Sequence, residues 1–175
     1  MKKIVLTYSL IAGAIMFAMM IIPTVFFSQN QLDSGKAEII GYTTMIAAFL
    51  LIFFGVKNYR DNYSSGTITF WKAFLTGLYI MLIASVIYVI AWMIIQPLFM
   101  PDFYQKYFDL EAATLKANGA TVAQLAEAKQ NADSMIRLVS NPVFKFLLTL
   151  LEPLPVGLPI TVISALVLKK KPAQA

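Results

Sequence analysis

Four stretches of this chain are long, apolar and almost free of charge, and that pattern limits its fold more than any other feature. Residues 4–27 carry no charge, residues 39–56 carry none and stop at Lys57, residues 73–100 carry none, and beyond Lys145 an apolar stretch reaches residue 168 with Glu152 as its single ionisable group. A helix needs about 20 consecutive apolar residues to cross a bilayer, whereas the core of a soluble domain needs no such run. Four spans use most of a 175-residue chain. Composition points the same way, with 59% hydrophobic and 13% charged residues, against about 25% charged in an ordinary soluble domain. The expected fold class is all-α: a polytopic membrane protein forming one domain over residues 1–175, with spans at about 4–27, 39–56, 70–96 and 143–168.

The first run starts after Lys2 and Lys3 like a secretory signal, but it is longer than the apolar core of a signal and lacks a small-residue cleavage site. It is expected to stay as the first span. The polar link over residues 28–36 leaves room for little more than a turn, so the first two spans should form an antiparallel pair. The third run exceeds about 40 Å at 1.5 Å per residue, and should tilt or leave the membrane around Gln96 and Pro97. Trp71 and Trp92, toward its two ends, suit the aromatic belts at the membrane surfaces.

Residues 102–140 form the one polar segment of any size and are expected to fold as an amphipathic helical hairpin between spans three and four. Asp102 is placed to cap a first helix and Gly119 to end it; Thr121 and Gln124 have the spacing of a capping box. Phe103, Tyr104, Tyr107 and Phe108 crowd the first turns, as at headgroup level. In the second helix Val122, Leu125, Ala126, Ala132, Ile136 and Val139 recur at helical spacing, which suits packing on the first helix or docking of a partner, and Asp133 can pair with Arg137. Asn141 and Pro142 supply an N-cap and first-position proline for the last span. The two helix pairs share no similarity beyond hydropathy, so an inverted-repeat transporter is not supported.

Orientation follows from the positions of Lys and Arg. One side receives Lys2, Lys3, Lys57, Arg60, Lys72, Lys169, Lys170 and Lys171 against the single acid Asp61, while the other has six cations and seven acids. Both termini are therefore expected in the cytoplasm of a cell whose inner membrane holds the protein, with the hairpin outside. The net charge of +5 and pI of about 9.4 do not imply nucleic acid, because the cations flank apolar runs instead of forming a stripe. The lipid bilayer, with a membrane-protein partner or a second copy of the chain, is the partner to expect. Cysteine and histidine are both absent. That removes thiol nucleophiles, imidazole bases and the commonest ligands of zinc, haem and copper, so no cofactor and no enzymatic activity are expected.

Glu152 is the residue deep enough in a span to need a partner. A charge there costs a few kcal/mol unless it is neutralised or hydrogen-bonded, and Gln96, Tyr88 and Tyr42 are polar groups at comparable depth. Pro153, Pro155, Gly157 and Pro159 follow it, and the prolines should leave the carbonyls of Thr149, Leu151 and Pro155 without intrahelical donors. Transporters use such broken helices, although kinked spans with satisfied carbonyls are commoner. Arg60 and Asp61, in a turn with Gly66, form a second candidate site that could cradle an anion or lipid phosphate, without the spacing of a P-loop.

The same turn carries a family resemblance. Tyr59-Arg60-Asp61 followed by Gly66-x-Ile68-x-Phe70 and Phe74-x-x-Gly77, within a four-span layout, resembles the bacterial membrane family of domain of unknown function 4199 (DUF4199). Pro101-Asp102-Phe103 with Tyr107, and Asn141-Pro142 before the last span, resemble it as well, over residues 3–171. The resemblance implies an integral inner-membrane protein of four helices with no established activity, substrate or catalytic residue, and it does not reach the proline-dense stretch after Glu152. The functional expectation is a non-enzymatic membrane component acting through partner or lipid contacts. The alternative is a small transporter or channel subunit using Glu152 and the broken fourth helix.

Overall fold

The structure, a computed structural model, describes residues 1–28 and 34–170. Seven helices follow one another in the described residues: α1 (Lys2–Ser28), α2 (Ser34–Tyr63), α3 (Phe70–Phe99), α4 (Phe103–Ala117), α5 (Val122–Val139), α6 (Pro142–Leu151) and α7 (Leu154–Leu168). No strand occurs among them. The apolar parts of α1 (Lys2–Ile21), α2 (Ile39–Tyr63) and α3 (Phe70–Phe99) are long and apolar enough to cross a membrane. The last apolar stretch is divided between α6 and α7, each too short alone. Helices α5 and α6 would together also be long enough, but they meet at 111°, which makes a corner instead of a straight span. The expected turn between the first two spans and Lys171 at the end of the last one lie outside the described residues.

The core forms where α1, α2, α3 and α7 pack together, with Met16, Phe49, Ile52, Val56, Ile80 and Met81 fully buried. Lipid tails are as apolar as leucine, so helices in a bilayer gain little from burying apolar area and depend on close approach. Here α3 and α7 approach through Gly77 and Gly157. A Cβ on Gly77 would stand 2.9 Å from Ile52 Cγ2 and 3.0 Å from Thr161 Cγ2; one on Gly157 would stand 2.5 Å from Met81 Cγ and 3.0 Å from Phe49 Cε2. Three buried hydroxyls bond to backbone carbonyls of their own helices, whereas the buried Ser85 hydroxyl has no hydrogen-bond partner among the described residues. Thr76 donates to Lys72 O (2.7 Å) and Thr161 to Gly157 O (2.7 Å), while Ser9 donates to Val5 O (2.6 Å) with Ile80 O at 3.3 Å across the α1–α3 contact.

At the end holding Lys2, Tyr63 and Leu168 the chain is tied by backbone. Ile68 N donates to Lys170 O (3.0 Å) and Lys170 N to Ile68 O (2.9 Å). Helix α2 does not stop at Lys57 but continues to Tyr63, which puts Arg60 and Asp61 on its last turn and not in the loop. The loop begins only at Ser64; Gly66, at φ 75°, donates its amide back to Arg60 O at 3.0 Å and closes the helix in the left-handed conformation. At the opposite end α3 runs through Gln96 and Pro97 to Phe99. A proline one turn from a helix end frees one carbonyl, and here the end is near enough for little to be lost.

Between α3 and α6, helices α4 and α5 pack on each other and contain no buried residue. Gly119 follows α4 at φ 81°, and the Thr121–Gln124 capping box is complete, with Gln124 N donating to Thr121 Oγ1 (3.3 Å) and Thr121 N to Gln124 Oε1 (2.8 Å). Two local expectations fail. Asp102 stands at the N-cap of α4 without a side-chain cap bond, because its ψ of 16° is not the extended conformation a capping side chain needs. Arg137 Nε donates to the Asp133 carbonyl (3.2 Å) and not to its carboxylate. On α5, Leu125, Ala132, Ile136 and Val139 are half-buried, whereas Val122 is 85% exposed and Ala126 is exposed. Asn141 caps α6 through Val143 N at 2.9 Å.

The interruption between α6 and α7 is narrow. Glu152 (φ −58°, ψ −45°) and Pro153 (φ −71°, ψ −18°) both keep right-handed helical angles. The Thr149 carbonyl, expected to lose its donor, accepts from Glu152 N at 3.3 Å, and Pro153 O accepts from Gly157 N at 2.8 Å. The prolines thus tighten one turn without unwinding it.

Candidate functional site

At the end where α4 and α5 sit, the four-helix core opens into a chamber of about 520 Å³. Helical spacing builds each wall. On α1, Met16, Met19 and Met20 share a face; on α2, Tyr42 and Met45 lie one turn apart, with Gly41 between the walls; on α3, Tyr88 and Trp92 are four residues apart. Leu148, Thr149 and Glu152 come from α6 and its end, and α4 and α5 close the top with Phe103, Tyr104, Tyr107 and Met135. The chain has nine methionines. Six of them, Met16, Met19, Met20, Met45, Met100 and Met135, line this one space.

Glu152 lies on the chamber wall. Its side chain is exposed, and the space it is exposed to includes the chamber, where Tyr88 Oη donates to Glu152 Oε2 at 3.0 Å. Of the three partners that depth made plausible, Tyr88 is the one that bonds. Gln96 does not reach Glu152. It is buried at the rim, donating Nε2 to Met100 O (2.7 Å) and toward Pro101 O (3.5 Å), and its Oε1 accepts from Lys145 Nζ. Lys145 Nζ also stands 5.6 Å from the centroid of the Tyr104 ring. Tyr104 accepts from Trp92 Nε1 at 3.3 Å, and Phe103 meets the Trp92 ring edge-on with centroids 4.9 Å apart. Burial pushes the Tyr104 phenol above its usual value, against the pull of the Trp92 hydrogen bond. That phenol is therefore neutral at physiological pH.

The other candidate pair is at the far end of the bundle. Arg60 Nε and Asp61 Oδ1 are 2.6 Å apart on the α2 terminus, partly exposed, with Arg60 Nη1 3.5 Å from Leu168 O. The two candidates are not brought together, and Arg60 is committed to its neighbour. Nearby, Lys72 Nζ lies 5.5 Å from the Tyr59 ring centroid.

Chemically, the chamber offers thioethers and aromatic rings that adapt to apolar shapes, and a few polar groups, among them the Glu152 carboxyl with the Tyr88 phenol bonded to it. The methionine wall and the Lys145–Gln96 pair were not singled out from sequence. Met16, Met19 and Met20 do have i, i+3, i+4 spacing, but in a span rich in apolar residues that pattern reads equally as lipid-facing surface. The aromatic cluster of Phe103, Tyr104, Tyr107 and Phe108, expected at headgroup level, lines the chamber.

No curated protein and no solved structure matches the chain. The family model described as protein of unknown function (DUF4199) does match it, over residues 7–170. Built on membrane-length helices around a methionine-walled chamber, the chain belongs to the DUF4199 family.

Proposed function

We propose that the chain is a single-domain, four-span inner-membrane protein that holds an amphiphilic molecule in the chamber and acts as a non-enzymatic membrane component. The observation that carries this reading is the chamber itself. Its volume of about 520 Å³ falls within the range of about 300–1,000 Å³ usual for small-molecule sites, and its largely apolar lining with few polar groups is what such sites share. Helices α6 and α7 together supply the fourth span, since the residues between them keep helical angles. With α6 along the membrane normal, the 111° corner lays α5 near the membrane plane, as a cover over the chamber. Below it Phe49, Ile52, Ile80 and Met81 fill the core completely. That arrangement favours holding a ligand over conducting one.

Gly41 gives the test. It lines the chamber, and a Cβ placed on it meets nothing within 4 Å, so Gly41→Trp should fill the space without disturbing the core. Native mass spectrometry of wild type released from detergent is expected to show retained amphiphile that Gly41→Trp lacks. Wild type free of any bound amphiphile would sink the reading. The division of Lys and Arg further predicts that reporters fused after Lys171 are cytoplasmic and reporters inserted at Gly119 are extracytoplasmic. Finding both on one side would remove the four-span arrangement.

A further inference from the structure

We infer that the chamber selects a lipophilic quaternary cation, an alkylated or arylated onium group on an apolar body; this rests on the reading of the chamber as an amphiphile site. Charge is the first observation. Among the described residues that line the chamber, Glu152 is the one acid, and none of them is Lys or Arg. Its carboxylate has about four acceptor positions, and the hydrogen bond described for it, from Tyr88, meets Oε2 alone. The nearby cation of the same helix, Lys145, is engaged by Gln96 and by the face of Tyr104. A carboxylate facing an apolar space with no cation in its walls attracts a positive ligand.

The second observation concerns the kind of cation. Tyr88, Trp92 and Tyr104 stand around the carboxylate end of the chamber, and the Tyr104 ring already carries Lys145 on its face at 5.6 Å. Rings in such positions attract cations through their quadrupoles, most strongly where water is excluded. A hard metal ion needs six or more oxygens. The chamber offers a carboxylate, phenols and the hydroxyls of Thr44 and Thr149, and Thr44 already donates to Ile40 O at 2.8 Å. An onium centre needs no such set of donors and acceptors, because its charge is spread over carbon. The methionines then receive its apolar body, which their unbranched thioethers fit by changing rotamer.

The test uses the full chain in detergent with three probes of like shape: labelled tetraphenylphosphonium, tetraphenylborate as the anion, and triphenylphosphine oxide as the neutral probe. Wild type is expected to bind the cation saturably and about tenfold or more tighter than the anion, the scale of one partly desolvated charge pair. Glu152→Gln should remove that preference while keeping the neutral probe, and Gly41→Trp should abolish binding of all three. Equal binding of cation and anion by wild type overturns the inference without any variant, as does a preference that survives in folded Glu152→Gln. Neutral binding that Gly41→Trp blocks, without cation preference, leaves the chamber reading standing and removes this one; no saturable binding of any probe removes both. Displacement of the cation by dodecyltrimethylammonium alone assigns a free onium ligand, and displacement by dodecylphosphocholine as well assigns an onium lipid headgroup, each outcome retaining the chemistry inferred.

Discussion

Gly157→Leu is expected to destabilise the bundle by about 3 kcal/mol or more, at the upper end of the cost of overpacking a core. At this position α7 touches α3 so closely that even a Cβ would lie 2.5 Å from Met81 Cγ and 2.6 Å from its sulfur. Met81 cannot swing clear, because it is fully buried against neighbours that include Phe49, itself 3.0 Å from the same Cβ. The remaining escape is for α7 to move outward. That movement would separate Gly77 from Thr161 one contact away and loosen the packing on which helix association in lipid depends. Gly157→Ala should show a smaller loss, and Met81→Ala in the same chain should recover part of it by emptying the clashing volume. Gly41→Ala, in open space, should melt like wild type. Thermal unfolding in detergent followed by size-exclusion chromatography reads all four. A Gly157→Leu protein as stable as wild type would mean that α7 does not pack here, and the proposed fourth span would go with it.

Hydropathy made the helices legible and left the chamber hidden, for a physical reason. A run of apolar residues identifies a span whatever it faces, because lipid and protein interior are alike in polarity. The same indifference conceals which face looks inward. Met16, Met45 and Tyr88 meet only after α1, α2 and α3 have docked, and docking is decided by contacts such as Gly13 against Ile87 that no local pattern announces. Two of the three expected N-caps were readable because they are local: Thr121 with Gln124, and Asn141 with Pro142, require only their own sequence neighbours, whereas Asp102 makes no cap bond. The Arg60–Asp61 turn misled because charge usually ends a span, whereas the α2 backbone continues helical to Tyr63 and leaves the turn to Ser64–Gly66. Glu152 was legible as an exception to the apolar pattern. Its partner was legible in principle too. Helices α3 and α6 run antiparallel, Glu152 lies seven residues beyond Lys145, and Tyr88 lies eight before Gln96. At about 1.5 Å per residue the intervals are about 10 Å and about 12 Å, so a register that pairs Gln96 with Lys145 places Tyr88 beside Glu152.

That register makes Gln96 the pin of the chamber rim, and Gln96→Leu is expected to cost about 2–3 kcal/mol, the scale of losing hydrogen bonds to a charged group and to backbone at one buried site. The amide works at both ends. Its Nε2 takes the Met100 carbonyl at 2.7 Å and reaches Pro101 O at 3.5 Å, where α3 terminates, while Oε1 receives the Lys145 ammonium from α6. Leucine fits the volume but leaves Met100 O with the Phe103 amide and Lys145 with the Tyr104 ring face. Replacing both partners is a different matter, since an apolar pair in place of a polar one leaves nothing unsatisfied across the contact. The double variant Gln96→Leu with Lys145→Met should therefore be more stable than the sum of the single losses predicts, by about 1 kcal/mol or more. Thermal unfolding of the four proteins closes the cycle. Strictly additive losses would show that Gln96 and Lys145 act separately, and the antiparallel register that places Tyr88 on Glu152 would lose its second point of support.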